Sequence, residues 1–374
     1  MERKEKKGKT KYGKRRTQSI PTDLLIEILL RLPEKSVDRF RCVSKFWSSI
    51  INDSSFISSF ETRHPRSQRP HLLLCFQNYD DLYVSSIPHH THNSNRSYSS
   101  SLSFANHHMS QLPHIYSQFS STESIHGLIC FKSETPIVWN PSTRMFITLP
   151  TIPQPCKHWG TPRIFLGYDP VERKHKVVCI PRKRTCYVCR VFTLGSAQES
   201  WRTVKINLKH QSRTRPVGRC IRGVIYYIAS TCKGSDFVVM SFDVRSEKFN
   251  MIKLPSGFDG DLLITYKGRL ACFSRKYHNR FLILEDAQKH KWSSQIFFTT
   301  LDDYSLSKIK GFDLVGFSYA GEFIYVPDMF SQLPYILLCD PVRHSWRRFE
   351  FKRGADDKRR LLAFPNHTDS QKSL

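Results

Sequence analysis

Five times between residue 124 and the C-terminus the chain repeats one order of signals. An alternating hydrophobic run, often with a Gly, leads to a second run ending in Asp or Asn, then a polar turn, an anchor residue and a short last strand. Met145, Trp201, Phe249, Trp292 and Trp346 are the anchors, spaced by 56, 48, 43 and 54 residues. A period near 50 residues is that of a kelch-like, four-stranded propeller blade. A blade buries its faces only against its neighbours, so the repeat predicts a closed ring. Leu72 to Val84 and Leu361 to Phe364 predict a sixth unit assembled from both ends of the chain. Asn140-Pro-Ser-Thr, Asp169-Pro-Val-Glu and Asp340-Pro-Val-Arg supply the Asx and Pro chemistry of tight turns. The anchors read as blade core rather than as binding aromatics.

Upstream of the repeat the periodicity is helical. Pro21 precedes Thr22 and Asp23, either of which can cap a helix carrying Leu24, Leu25, Ile28, Leu29 and Leu32. Pro33 ends it. A second short helix carries Val37 and Phe40, and Ser44 can cap a third that presents Trp47, Ile50 and Ile51. So small a module cannot bury all of these side chains internally, so an exposed apolar patch for docking is expected. The competing reading is that the helices fold back on the rest of the chain.

The residues favour docking. Ile20-Pro-Thr-Asp-Leu-Leu-Ile-Glu-Ile-Leu-Leu-Arg-Leu-Pro33, then Lys35-Ser-Val and Arg39-Phe-Arg-Cys-Val-Ser-Lys-Phe-Trp47, closely resemble the plant F-box. Ile20 stands where Leu is more usual, and Phe46 where a polar residue often sits. Behind it, His126-Gly-Leu-Ile-Cys, Trp139-Asn-Pro-Ser-Thr-Arg and Leu166-Gly-Tyr-Asp-Pro resemble the F-box-associated domain of plant F-box proteins, over roughly residues 100–355. There is no Gly-Gly pair and no Trp-Asp dipeptide, which separates the chain from ordinary kelch and WD arrays. The resemblance implies an adaptor-facing surface of Ile20, Pro21, Leu24, Leu25, Ile28, Leu29, Val43 and Trp47, docking on a Skp-family adaptor and, through it, a cullin. It also implies a substrate-recruiting domain behind that surface. Together these predict an α+β multidomain chain, a small three-helix F-box followed by an all-β propeller-like domain. The expected division is a disordered basic tail at 1–19, the F-box at 20–60 and a linker with first strands and a Ser/His-rich loop at 61–126. The β domain is expected at 127–364 and a C-terminal tail at 365–374.

Charge and cysteine content test other function classes. The formal net charge is +26, but residues 20–60 hold five basic and five acidic side chains. A DNA-reading helix is basic and polar on its exposed face, so this neutral, Leu-rich module argues against nucleic acid as the partner. Residues 1–19 carry nine Lys/Arg against two Glu, a basic arm that serves as a nuclear import signal or simply as a solvated tail. Residues 170–220 hold thirteen basic residues against two acidic ones. Arg182, Lys183 and Arg184 are the candidate patch for an acidic or phosphorylated target. No apolar run reaches the length of a membrane span.

Cys186 and Cys189 have ligand-like spacing, but in a strand they point to opposite faces, so no metal site is expected. The segment 85–126 holds 13 Ser and 7 His in 42 residues and reads as a polar surface loop. No nucleophile elbow, phosphate loop, dinucleotide fingerprint or zincin helix occurs, so neither an enzyme nor a cofactor is expected. The function predicted is that of a non-catalytic receptor subunit of an SCF-type ubiquitin ligase, nuclear or cytoplasmic. The alternatives are a nucleic-acid-binding protein, a propeller enzyme and an F-box protein acting outside a ligase.

Overall fold

A computed structural model describes residues 20–32, 34–41, 43–51, 53, 56, 59–60, 70–78, 81–88, 99–102, 104–108, 121–154, 159, 161–182, 186–212, 218–231, 237–258, 260, 262–274, 280–296, 311–327, 335–343, 345–351, 361–371 and 374. The chain forms two compact units, Met1–Pro65 and Arg66–Leu374.

In the first unit, α1 spans Thr22–Leu29, α2 Glu34–Arg41 and α3 Lys45–Ile51. Neither Thr22 nor Asp23 is the cap of α1. Pro21 holds the N-cap position with an extended ψ of 141°, and its carbonyl accepts the Leu24 and Leu25 N–H groups at 3.1 Å. Proline fits there because the missing donor would have been an orphan of the first turn. Ser44 does cap α3, its Oγ accepting the Trp47 N–H at 3.3 Å. Leu29, Leu30, Val37, Ile50, Ile51, Phe56 and Phe60 fill the core of this unit.

The second unit is a six-bladed β-propeller. Blade 1 contains β1 (His71–Asn78), β2 (Asp81–Pro88), β4 (Ala105–His108) and the last strand, β25 (Leu362–His367), in the order β25-β1-β2-β4. Blade 2 contains β5 (Ile129–Phe131), β6 (Ile137–Asn140) and β7 (Met145–Thr148). Blade 3 runs from β8 (Arg163–Asp169) through β9 (Lys174–Ile180) and β10 (Val188–Thr193) to β11 (Arg202–Lys205). Blade 4 holds β12 (Gln211–Ser212), β13 (Arg219–Ile221), β14 (Val224–Ser230), β15 (Phe237–Asp243) and β16 (Phe249–Lys253). Blade 5 runs from β17 (Leu262–Tyr266) through β18 (Arg269–Phe273) and β19 (Arg280–Asp286) to β20 (Lys291–Ile296). Blade 6 runs from β21 (Phe312–Phe317) through β22 (Phe323–Pro327) and β23 (Tyr335–Asp340) to β24 (Ser345–Phe351), with β3 (Ser99–Leu102) added in parallel to β24.

The ring closes where the sixth unit was expected. β25 pairs antiparallel with β1, Leu74 opposite Ala363 and Cys75 opposite Leu362. The propeller therefore begins at β1, not at residue 127, and the expected tail is part of the fold. β25 continues to His367, and Ser370 and Gln371 are buried. Asn140 explains this: its Nδ2 donates to the Ser370 carbonyl at 3.0 Å, while the Ser370 N–H donates to Ser142 Oγ at 3.1 Å. Part of the Ser/His-rich segment is also strand, since β3 and β4 lie on the edges of blades 6 and 1. His107 and His108 lie in β4, whereas His89, His90 and His92 fall outside the described residues.

Hydrophobic clusters join successive blades. Phe165, Val178 and Val191 of blade 3 pack with Ile225, Tyr227 and Met240 of blade 4. Leu72 and Leu74 of blade 1 pack with Ile324, Ile336 and Phe349 of blade 6. This is the burial a lone blade lacks. Cys186, two residues ahead of β10, sits in the cluster between blades 2 and 3, whereas Cys189, within β10, sits in that between blades 3 and 4.

Two anchors add a hydrogen bond between blades. Trp201 Nε1 donates to the Pro150 carbonyl just past β7, and Trp292 Nε1 to the Lys253 carbonyl ending β16, both at 2.8 Å. Met145 departs from the anchor pattern: it is 54 % exposed, because β7 is a short outer strand with both of its end residues in solvent.

The Asx turns are built alike. Asn140, Asp169, Asp286 and Asp340 each accept, through Oδ1, the backbone N–H groups two and three residues on. The residue four on takes a positive φ at Arg144, Arg173, Glu247 and His290, after Asn140, Asp169, Asp243 and Asp286. Two-residue turns with both φ values positive occur at His126-Gly127, Arg222-Gly223 and Lys267-Gly268, where glycine takes the second left-handed position. At Gly127 the demand is doubled, since a Cβ there would overlap Ser370.

Candidate functional site

Helix α1 carries two apolar stripes side by side. Leu25 and Leu29, four residues apart, point inward and are 8 % and 0 % exposed. Leu24 and Ile28, also four apart, point outward at 55 % and 47 %. Ile20 extends the outer stripe by one more turn, and Pro21 beside it is exposed. Val43, ahead of α3, and Phe46, within it, are exposed as well, at 63 % and 51 %. Of the eight residues the resemblance assigned to the adaptor, Ile20, Pro21, Leu24, Ile28 and Val43 are thus open to solvent.

Leu25 and Leu29 are not, and their assignment to the surface is corrected: they are the core of the module. Trp47 is half-buried, its ring 5.0 Å from that of Phe40, so it supports the module more than it faces outward. Phe46 is the exposed aromatic that the motif reading passed over. Its signal was present in the sequence, an aromatic where a polar residue often sits. An apolar, open surface of this kind binds a partner by burying aliphatic and aromatic anchors in a groove.

Among the described basic residues of segment 170–220, two are tied to a single carboxylate. Lys176 is 4 % exposed and donates to the Val244 carbonyl at 2.8 Å and to Glu247 at 3.0 Å. Arg202 donates to the same carboxylate at 2.6 Å. Burial alone would raise the Glu247 carboxyl, but hydrogen bonds and charge from Arg202 and Lys176 outweigh it and hold the group below the usual range. Arg173 and Arg182 are exposed but flank opposite ends of β9. Lys183 and Arg184 lie outside the described residues.

Arg219, missed by the sequence analysis, reaches the first strands of blades 5 and 6. From β13 it donates through Nε to the Leu263 carbonyl and through Nη2 to the Val315 carbonyl, both at 2.8 Å. Nη1 lies 3.4 Å from Glu123 Oε2, and the other oxygen of that carboxylate accepts the Cys220 N–H. Burial pushes the Glu123 carboxyl up, and Arg219 and the Cys220 N–H pull it back only in part. This arrangement ties blades together. Burial also pushes the Cys130, Cys189 and Cys220 thiols up to about 12, which suppresses the nucleophilic thiolate.

Comparison with known proteins agrees with both units. The F-box domain family matches residues 18–59, and the family described as F-box associated beta propeller domain matches residues 71–368. The putative F-box proteins At1g47790 and At3g10240 of Arabidopsis thaliana are each 48 % identical to this chain, covering all of both chains. F-box protein At1g48060 of the same plant is 36 % identical over 95 % of this chain and 93 % of its own length. The chain belongs to the F-box proteins that carry an F-box associated β-propeller domain.

Proposed function

We propose that this protein is a non-catalytic substrate-recognition subunit of an SCF-type ubiquitin ligase. Its three-helix F-box docks on a Skp-family adaptor and thereby joins a cullin, while the propeller holds the target protein. The observation that carries the reading is the outer stripe of α1 with Val43 and Phe46: large apolar side chains stay in solvent although the module has a filled core of its own. Family membership supports the same role. The chain then contributes proximity, raising the effective concentration of an acceptor lysine near the charged ubiquitin.

The test is binding of the full chain to a purified Skp-family adaptor by calorimetry. Leu24→Asp with Ile28→Asp places two charges in the contact and is expected to abolish binding without lowering the melting temperature. Adaptor binding unchanged in this variant refutes the docking surface. The target is taken to be an acidic or phosphorylated segment, because Arg182 stands exposed in a chain of net charge +26. The basic arm at 1–19 is proposed as a nuclear import signal.

A further inference from the structure

We propose that His71, His367 and Asp369 form a three-ligand zinc site that clasps the first strand of the propeller to the last. His71 opens β1, His367 ends β25 and Asp369 follows two residues later. One ligand atom from each lies within 4.8 Å of the other two. Two imidazoles and a carboxylate are a donor set for a divalent transition ion, zinc foremost, with a fourth position for water.

Three further observations point to a ligand here. His367 is fully buried, yet among the described residues its Nε2 has no hydrogen-bond partner, and such a buried nitrogen calls for one. Its other ring nitrogen, Nδ1, lies 2.7 Å from Ser124 Oγ. With Nδ1–H donating to that hydroxyl, the lone pair of Nε2 is left to face Asp369. A hydrogen bond from the far ring nitrogen is the usual means of orienting a metal-bound histidine. Asp369 is oriented too: Ser142 Oγ donates to its Oδ1 at 3.0 Å.

The separation of Nε2 from Asp369 Oδ1 is 3.8 Å, too long for a hydrogen bond. Two ligands each about 2.0–2.2 Å from a tetrahedral zinc ion stand about 3.3–3.6 Å apart, so the two groups need close by only a few tenths of an ångström to share an ion. The His71 and His367 rings meet edge to face with centroids 5.0 Å apart, so the second imidazole is beside the first. An ion at this point ties residues 71 and 367–369 together across the seam that closes the ring.

The experiment uses the untagged full chain, freed of metal with a chelator and desalted. Zinc chloride is titrated in by calorimetry, and thermal melts are recorded with and without one equivalent. The expected result is one high-affinity zinc per chain, a melting temperature higher by several degrees, and a tetrahedral cobalt(II) absorption spectrum on substitution. His71→Gln and Asp369→Asn, both at partly exposed positions, should fold with unchanged circular dichroism and each lose the shift and the cobalt spectrum. No high-affinity zinc, or equal binding by the wild type and both variants, overturns the site. Anaerobic iron(II) displacing zinc at equal concentration overturns the choice of metal.

Discussion

Replacing Arg219 by Met tests how the propeller is held at its centre. The side chain is nearly buried and engages two blades besides its own, through the Leu263 and Val315 carbonyls of blades 5 and 6, together with the Glu123 carboxylate ahead of blade 2. Methionine keeps much of the volume and removes every donor. Breaking a buried pair by deleting one partner costs about 3–5 kcal/mol, mostly because the remaining charge is stranded. Unfolding entropy near 2.1 cal/mol/K per residue over roughly 300 residues converts that loss to a fall of about 5–8 °C in melting temperature. Without Arg219 the buried Glu123 takes up a proton more readily, so the deficit should shrink between pH 8 and pH 5. Adding Glu123→Gln to Arg219→Met removes the stranded charge and should recover part of the loss. Calorimetric melts of the three proteins at both pH values provide the measurement. A single variant melting within about 2 °C of wild type, or a deficit that does not depend on pH, refutes the central tie.

Other outcomes follow from the same geometry. Phe364→Ala empties a site 2 % exposed and should cost about 3–5 kcal/mol, and deleting 359–374 should unfold the propeller cooperatively; proteolysis rates report both. Leu29→Ala should destabilise the F-box module by about 2–5 kcal/mol, whereas Leu24→Ala should leave its stability nearly unchanged and weaken adaptor binding instead. Because the Glu247 pKa is lowered on folding, its ion pairs stabilise the protein above the ordinary carboxyl value and lose that effect as the pH falls through the lowered one. Glu247→Gln should therefore melt lower than wild type at pH 7 and converge with it in acid. Asn140→Asp keeps the turn acceptor but loses the donor to Ser370, so it should lower the melting temperature where Asp at the other turns does not.

The ring was legible because strand alternation, Asx turns and a repeat near 50 residues are local signals, and closure by both ends followed from a missing sixth unit. The division of α1 was not. Leu24 and Leu25 differ by one step of 100°, and a wide apolar stripe does not reveal which half meets its own core. Arg219 and Glu123 stand 96 residues apart, so only folding brings them together. His71 and His367 are farther apart still and read in sequence as unrelated histidines. The burial of Ser370 and Gln371 hides in a polar stretch, because hydrogen bonds from Asn140 and to Ser142, not hydrophobicity, hold it down.

The pairing of β25 with β1 also sets an order of events during synthesis. The ribosome delivers β1 (His71–Asn78) long before β25 (Leu362–His367), the strand that covers it. Until then β1 presents an open edge of the kind that recruits foreign strands. A prematurely terminated chain would thus carry a complete F-box module and an unfinished wheel whose first strand lies open.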